Sequence, residues 1–445
     1  MQKTKNKIEL NKKTRSNNKG IYISSIALFI YVFYIFTQRW YGFIIEESVL
    51  QIGIIAIAII LLVFKPKKNG MFTINYTKID LFWSIAIVTI LLYIIFTATI
   101  DVDVQYFMYI SGLFFLLFAK ADIDRFDVSF KLIKVSSIIY AFGTFFHYFF
   151  TDLFHSLTFS FVPLSVKERT LELVILGYYP GLGFGQPAMA AGPMIMGIGI
   201  ILANRFREKK SMLFDTFLIL ILIIGLIMTG KRSIMLWGIF SFILTYYFAT
   251  SKNKSTRFVK VIFGLIFSSL ILYIVTSYMD FIDIFRRMIV TINNILAGQD
   301  ITSGRTILYE RAWDIFKDNP IFGIGWEQFI VVTSGQLLSR DLTVHNVYLQ
   351  LLAETGLVGF LIVMLAMVYT YINTFRILKL ILSSSIYSNK WKIALTFSFY
   401  YQTFFILYCL TENPFYNIVY LFMYFFSLSI VNSVIIDKIS NSAKV

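Results

Sequence analysis

The chain has 445 residues, 58% of them hydrophobic and 18% aromatic, and carries a net charge of +15. Apolar stretches recur at the ~20 residues that cross a bilayer, which excludes an ordinary soluble domain. A single cysteine, Cys409, excludes a disulfide framework and a cysteine-built metal site.

In chain order, the apolar runs predict about twelve transmembrane helices in an all-α protein: roughly 21–38, 48–64, 79–98, 105–119, 130–150, 187–203, 212–229, 232–249, 258–277, 346–374, 392–410 and 415–435. They run almost continuously, so residues 1–445 read as one polytopic membrane domain. The N-terminus carries Lys3, Lys5, Lys7, Lys12, Lys13, Arg15 and Lys19 and has no cleavage-site pattern, so it reads as a cytoplasmic segment and not a signal peptide. Every second loop is basic: Lys65 to Lys78, Lys120 to Lys131, Arg205 to Lys210, Lys252 to Lys260 and Arg376 to Lys392. Short basic loops stay inside. The expected location is therefore the plasma membrane, with both termini cytoplasmic. The positive charge then faces the anionic inner leaflet, so the lipid bilayer is its partner and no nucleic-acid partner is needed.

Three groups of cations break this rule. Lys231 and Arg232 join spans seven and eight on the expected outer side. Lys167 and Arg169 lie in the outer loop 151–186. Arg305 and Arg311 lie in a large polar segment, 279–345, expected to be extracytoplasmic. A guanidinium presents a planar fork of donors matched to phosphate oxygens. Arg232, Arg305, Arg311 and Arg169 are therefore candidates for holding an anionic ligand at the outer surface.

Within 279–345, Leu308, Ala312, Ile315 and Phe316 recur at helical spacing, Thr302 or Ser303 can cap the start, and Asn319-Pro320 ends the run. This predicts an amphipathic helix on the membrane or on the bundle, with Arg305 in its first turn, where dipole and unpaired N–H groups favour an anion. Phe322-Gly323-Ile324-Gly325-Trp326 reads as a tight turn whose glycines serve loop geometry alone. His345 marks the loop-to-membrane border and can exchange a proton near neutral pH. Asn346 can cap the tenth span. Glu354 lies further into it, on the side away from His345, and reads as a pairing residue that needs a partner. His147 and His155 read as structural.

Several motifs resemble the O-antigen ligase and Wzy-type polysaccharide polymerase family: Gly304-Arg305-Thr306 through Trp313, Asn319-Pro320-Ile321-Phe322-Gly323-Ile324-Gly325, His345-Asn346-Val347-Tyr348-Leu349, Glu354 through Gly359, and upstream Thr229-Gly230-Lys231-Arg232-Ser233. Gly183-Phe184-Gly185-Gln186-Pro187 resembles the family's Gly-Pro loop. The resemblance implies glycosyl transfer on the outer face of the membrane, from an undecaprenyl-diphosphate-linked oligosaccharide to a sugar hydroxyl. The large loop has no His, Cys or carboxylate cluster with ligand spacing, so the expected transfer is metal-independent, with no cofactor. It implies that Arg232 and Arg305 hold the diphosphate and that His345 acts on the acceptor hydroxyl. Other polysaccharide-assembly membrane proteins are further partners that it allows. The Ile, Phe, Lys and Asn bias suggests an AT-rich genome and a source without a lipopolysaccharide core to ligate, so a repeat-unit polymerase is the expected member and a ligase the alternative. Two other classes stay open: a metal-dependent glycosyltransferase using Asp101 and Asp103, and a non-enzymatic lipid-linked oligosaccharide transporter.

Overall fold

The computed structural model describes residues 29–30, 32–37, 40, 56, 76–97, 103–118, 120, 123–206, 212–249, 305–333 and 343–442. Nine of the expected spans fall on helices within them: α1 (Lys78–Thr97), α2 (Asp103–Phe118), α3 (Ile123–Phe149), α6 (Pro187–Arg205), α7 (Met212–Met228), α8 (Arg232–Ala249), α11 (Val347–Ser383), α12 (Asn389–Tyr408) and α13 (Ile418–Ser442). Between them lie α4 (Thr151–Thr158), α5 (Leu164–Ile175), α9 (Thr306–Asp318) and α10 (Gln328–Thr333). The described residues contain no strand. Six of the helices are both long and apolar enough to cross a membrane, and α2 and α7 add shorter apolar stretches. The spans expected at 21–38, 48–64 and 258–277 fall wholly or largely outside the described residues, and Asp101 and residues 279–304 of the large loop, Thr302 and Ser303 among them, lie outside them.

Helices in a bilayer associate by close packing and by hydrogen bonds across helices. α13 is its axis: 89% of its span is buried, against 28% for α8 at the periphery. α6 packs closely through small residues: a side chain at Gly197 would collide with Ser137, and one at Gly199 with Tyr400. Ser137 Oγ donates to the Pro193 carbonyl (2.7 Å), joining α3 to α6 beside the proline that interrupts the α6 ladder.

α9 settles on the bundle. Leu308, Ala312 and Ile315 bury against Phe329, Val344 and Ala353, the last of these on α11. The helix ends at Asp318 with Asn319 as its C-cap, as the Asn-Pro pair requires. Its start differs from expectation. Arg305 itself occupies the N-cap, without a side-chain cap bond, and the helix begins at Thr306.

α11 is broken near its start. Gly356 has φ 59° and ψ −165°, outside helical space. Segment 320–325 plugs the break. The N–H groups of Ile324 and Gly325 donate to the carbonyls of Ala353 and Glu354 (3.0 and 2.8 Å). Those of Leu357 and Val358 donate to the carbonyls of Pro320 and Ile321 (2.9 and 3.2 Å). Backbone groups freed by the break are thereby paired, as an apolar setting demands. The two segments of this knot approach too closely for side chains: a Cβ at Gly323 would lie 2.4 Å from the Glu354 carbonyl carbon, and one at Gly356 2.4 Å from that of Ile321. The expectation that Gly323 serves loop geometry alone is therefore corrected, because it joins the loop to the span.

Candidate functional site

The site is built where four chain segments meet at one end of the bundle. The turn between α7 and α8 needs Gly230 in the left-handed region (φ 69°), and a side chain there would run into Tyr178. This turn places Lys231, and Arg232 follows as the first residue of α8. Arg305 stands at the N-cap of α9. His345 precedes α11, whose N-cap Asn346 accepts from the N–H groups of Tyr348 and Leu349 (3.0 and 3.2 Å), as expected. The fourth segment is the short connection from α12 to α13, which carries Thr411 and Glu412.

Glu412 is the hub. Its Oε1 accepts from Lys231 Nζ (2.5 Å) and Arg305 Nη2 (3.1 Å), and its Oε2 pairs with His345 Nδ1 (3.0 Å). Arg305 Nη1 donates to the Thr411 carbonyl (2.6 Å), so its fork grips the connection at two points. Trp237 on α8 fixes the same residue, donating from Nε1 to Thr411 Oγ1 (2.8 Å). Burial raises the Glu412 carboxyl, but His345, Lys231 and Arg305 outweigh it and hold the group well below the usual carboxylate range. Glu412 is therefore an anion at neutral pH. An ionised carboxylate only accepts, so His345 Nδ1 carries the hydrogen of their bond and Nε2 is left as the acceptor nitrogen. The Lys231 and Arg305 cations and the His345 imidazole remain reachable: their side chains are 23%, 27% and 27% exposed.

His345 itself has φ 56°, left-handed backbone that a non-glycine residue rarely adopts. Such strain, of order 1–3 kcal/mol, collects at functional sites where the surroundings enforce it. Here the Asn346 cap, the bond from Val347 N–H to the Cys409 carbonyl (2.9 Å) and the Glu412 contact enforce it.

Behind the hub lies a second carboxylate. Glu354 is fully buried and accepts from Gln350 Nε2 (2.9 Å) and Tyr416 OH (2.6 Å), and Asn413 Nδ2 donates to Gln350 Oε1 (2.6 Å). Trp326 stacks on Tyr416 with ring centroids 4.8 Å apart. Glu354 has the partner its position required, and the chain Asn413–Gln350–Glu354–Tyr416 pins the Glu412 connection to α11.

Among the residues singled out by sequence, the structure gathers Arg305 and His345 on one carboxylate. Arg232 is exposed and adjoins Lys231. Arg311 is half-buried on α9. Arg169 is exposed on α5, where it bonds Glu172 on its own helix (2.8 Å). His147 and His155 pair through their Nε2 atoms (3.1 Å), and His147 Nδ1 accepts from Gly181 N–H (3.2 Å). They hold the Gly-Pro loop to α3 and α4, which fits their structural reading. Among the described residues no three His, Cys, Asp or Glu side chains gather in a metal-holding group. Asp101 lies outside those residues. Sequence reasoning missed Lys231 as a contact and Glu412 altogether. The available signal was a lone acid in a short loop between two apolar spans, on the side where the cations also break the charge rule.

Residues 217–364, a third of the chain, match the family model described as O-antigen ligase. The match runs from α7 through the Lys231–Arg232 turn and α9 into α11. It takes in Lys231, Arg232, Arg305 and His345 and stops before Glu412. No curated protein matches the chain. Over that region the chain is similar to O-antigen ligases, and its apolar helices are those of a multi-pass membrane protein.

Proposed function

We propose that this protein is a polysaccharide repeat-unit polymerase acting at the outer face of the plasma membrane. The observation that carries the reading is the convergence of Arg305 and His345 on Glu412, beside the Lys231–Arg232 turn. The donor is an oligosaccharide on undecaprenyl diphosphate, and the acceptor is a sugar hydroxyl of a second lipid-linked glycan. The acceptor oxygen attacks the anomeric carbon, and the bond from that carbon to the diphosphate oxygen breaks. The hydroxyl proton passes to His345 Nε2, the nitrogen left open by the Nδ1–Glu412 bond. Undecaprenyl diphosphate leaves with its charge held by Arg305 and Arg232, with Arg311 and Arg169 as outer contacts. Glu412 orients the imidazole and stabilises the imidazolium that forms. No step calls for a metal.

The test is chain extension by purified protein given a lipid-linked repeat unit. Polymer together with released undecaprenyl diphosphate supports the reading, and an inert protein that only binds the donor sinks it. The description of the matched family favours a second reading, a ligase. In that case the same preparation transfers glycan to a different acceptor and forms no longer lipid-linked chains.

A further inference from the structure

Glu412 places one carboxylate oxygen between Lys231 and Arg305 and the other against His345. Three cationic or protonatable groups from three separate segments thus converge on a single acid in a partly open site, with the exposed Arg232 next in sequence to one of them. We infer that Glu412 Oε1 is a resident stand-in for a donor phosphate, and that Lys231 is a further cation of the diphosphate clamp. The inference rests on the donor reading above.

The chemistry follows from which oxygen holds what. Lys231 and Arg305 converge on Oε1 alone, so an incoming phosphate oxygen can take both donors without touching the Oε2–His345 bond. A diphosphate diester carries two negative charges. Lys231, Arg232 and Arg305 supply charge to match those two and Glu412 together, so Glu412 stays ionised on His345 after it is displaced. Anchors on either side let the connection yield at Glu412 alone: Thr411 is held by Arg305 and Trp237, and Asn413 by Gln350. Without donor, the stand-in keeps the two cations aligned and paired. With donor, the exchange leaves the carboxylate serving the histidine only. Lys231 adds a point charge where the arginines supply forks.

The probe is inorganic pyrophosphate, its affinity measured on the full-length protein in detergent. Glu412→Gln removes the competing charge and should bind pyrophosphate about tenfold more tightly than wild type, the worth of one charge-assisted hydrogen bond. Lys231→Gln should bind about tenfold more weakly and Lys231→Arg close to wild type. If Glu412→Gln does not accumulate, Glu412→Asp retracts the carboxylate from the cations and should also bind more tightly than wild type. Equal or weaker pyrophosphate binding by whichever Glu412 variant accumulates overturns the stand-in. Unchanged binding by Lys231→Gln overturns the clamp assignment. Failure of the polymerase reading appears elsewhere, as absence of chain extension, which pyrophosphate binding does not measure.

Discussion

Two acids at opposite ends of the bundle solve the problem of a buried charge differently. Asp80, at the start of α1, is fully buried. It accepts from Thr77 N–H (2.7 Å), Thr77 Oγ1 (2.9 Å), Asn432 Nδ2 (2.7 Å) and Lys120 Nζ (2.6 Å). One cation and three neutral donors satisfy both oxygens, and the side chain of Lys120 is itself only 10% exposed. Glu412 has an excess of cationic partners and leaves them open to solvent. A carboxylate sealed with matched donors ties α1 to α13. A carboxylate overmatched with reachable cations keeps a surface ready for another anion. Both are buried ion pairs, and only the surplus and the access tell them apart.

Substitutions should separate the two by which quantity they move, rate or stability. The largest effect is expected at His345. His345→Ala and His345→Gln should each lower chain extension by about 10²–10⁴-fold, the usual worth of a general base, because glutamine cannot take the proton. Cells carrying either variant should accumulate single repeat units on the lipid carrier, and the purified variant should still bind labelled donor. Normal polymer length in His345→Gln would return the histidine to a capping role. Next come Arg305→Ala and Arg232→Ala, each expected to cost about 10²–10³-fold in extension rate while the protein still accumulates in membranes. Lysine at either position should rescue poorly for want of the bidentate fork, and full activity of both lysine variants would refute the phosphate clamp.

At the other acid the signs reverse. Asp80→Ala strands Lys120 in the bundle and should cost about 3–5 kcal/mol, read as a lower unfolding temperature in detergent. Extension rate per folded molecule should hold near wild type, and a rate loss with an unchanged unfolding temperature would show that the comparison is wrong. Gly356→Ala should destabilise by at least ~1–3 kcal/mol, since the residue must sit at φ 59° against the Ile321 carbonyl carbon. It should also lower extension, because the knot links α9, which begins beside Arg305, to α11, which begins beside His345. The smallest effect is expected from chelation. EDTA should leave extension unchanged, and Asp101→Asn with Asp103→Asn should be mild. Loss of activity with EDTA, restored by magnesium or manganese, would shift the chemistry to that acidic pair.

Arg305 could be read from the chain because its charge breaks the alternation of basic loops, and His345 because it marks the border between the polar loop and a span. Asn346 and the Asn319-Pro320 stop were legible for another cause: caps and helix ends are set by residues within one turn of each other. Glu412 was hidden in the opposite way. A single acid in a short loop looks solvated, and nothing local shows that Lys231, 181 residues upstream, reaches it. Gly323 looked like a turn residue because its clash partner, Glu354, lies on another element.

Composition and apolar run length by themselves determined that the chain enters a membrane as many helices, because each span must bury its own backbone bonds whatever its neighbours do. Local patterning determined where most of those helices begin and end, and the motif order determined the family resemblance. Only the tertiary structure decided that α9 rests on the bundle, that α11 is broken and plugged by segment 320–325, and that four distant segments meet on Glu412. Those outcomes depend on which surfaces touch after the helices associate. That is settled by close packing and by the pairing of buried polar groups between elements, neither of which leaves a periodic mark in the sequence.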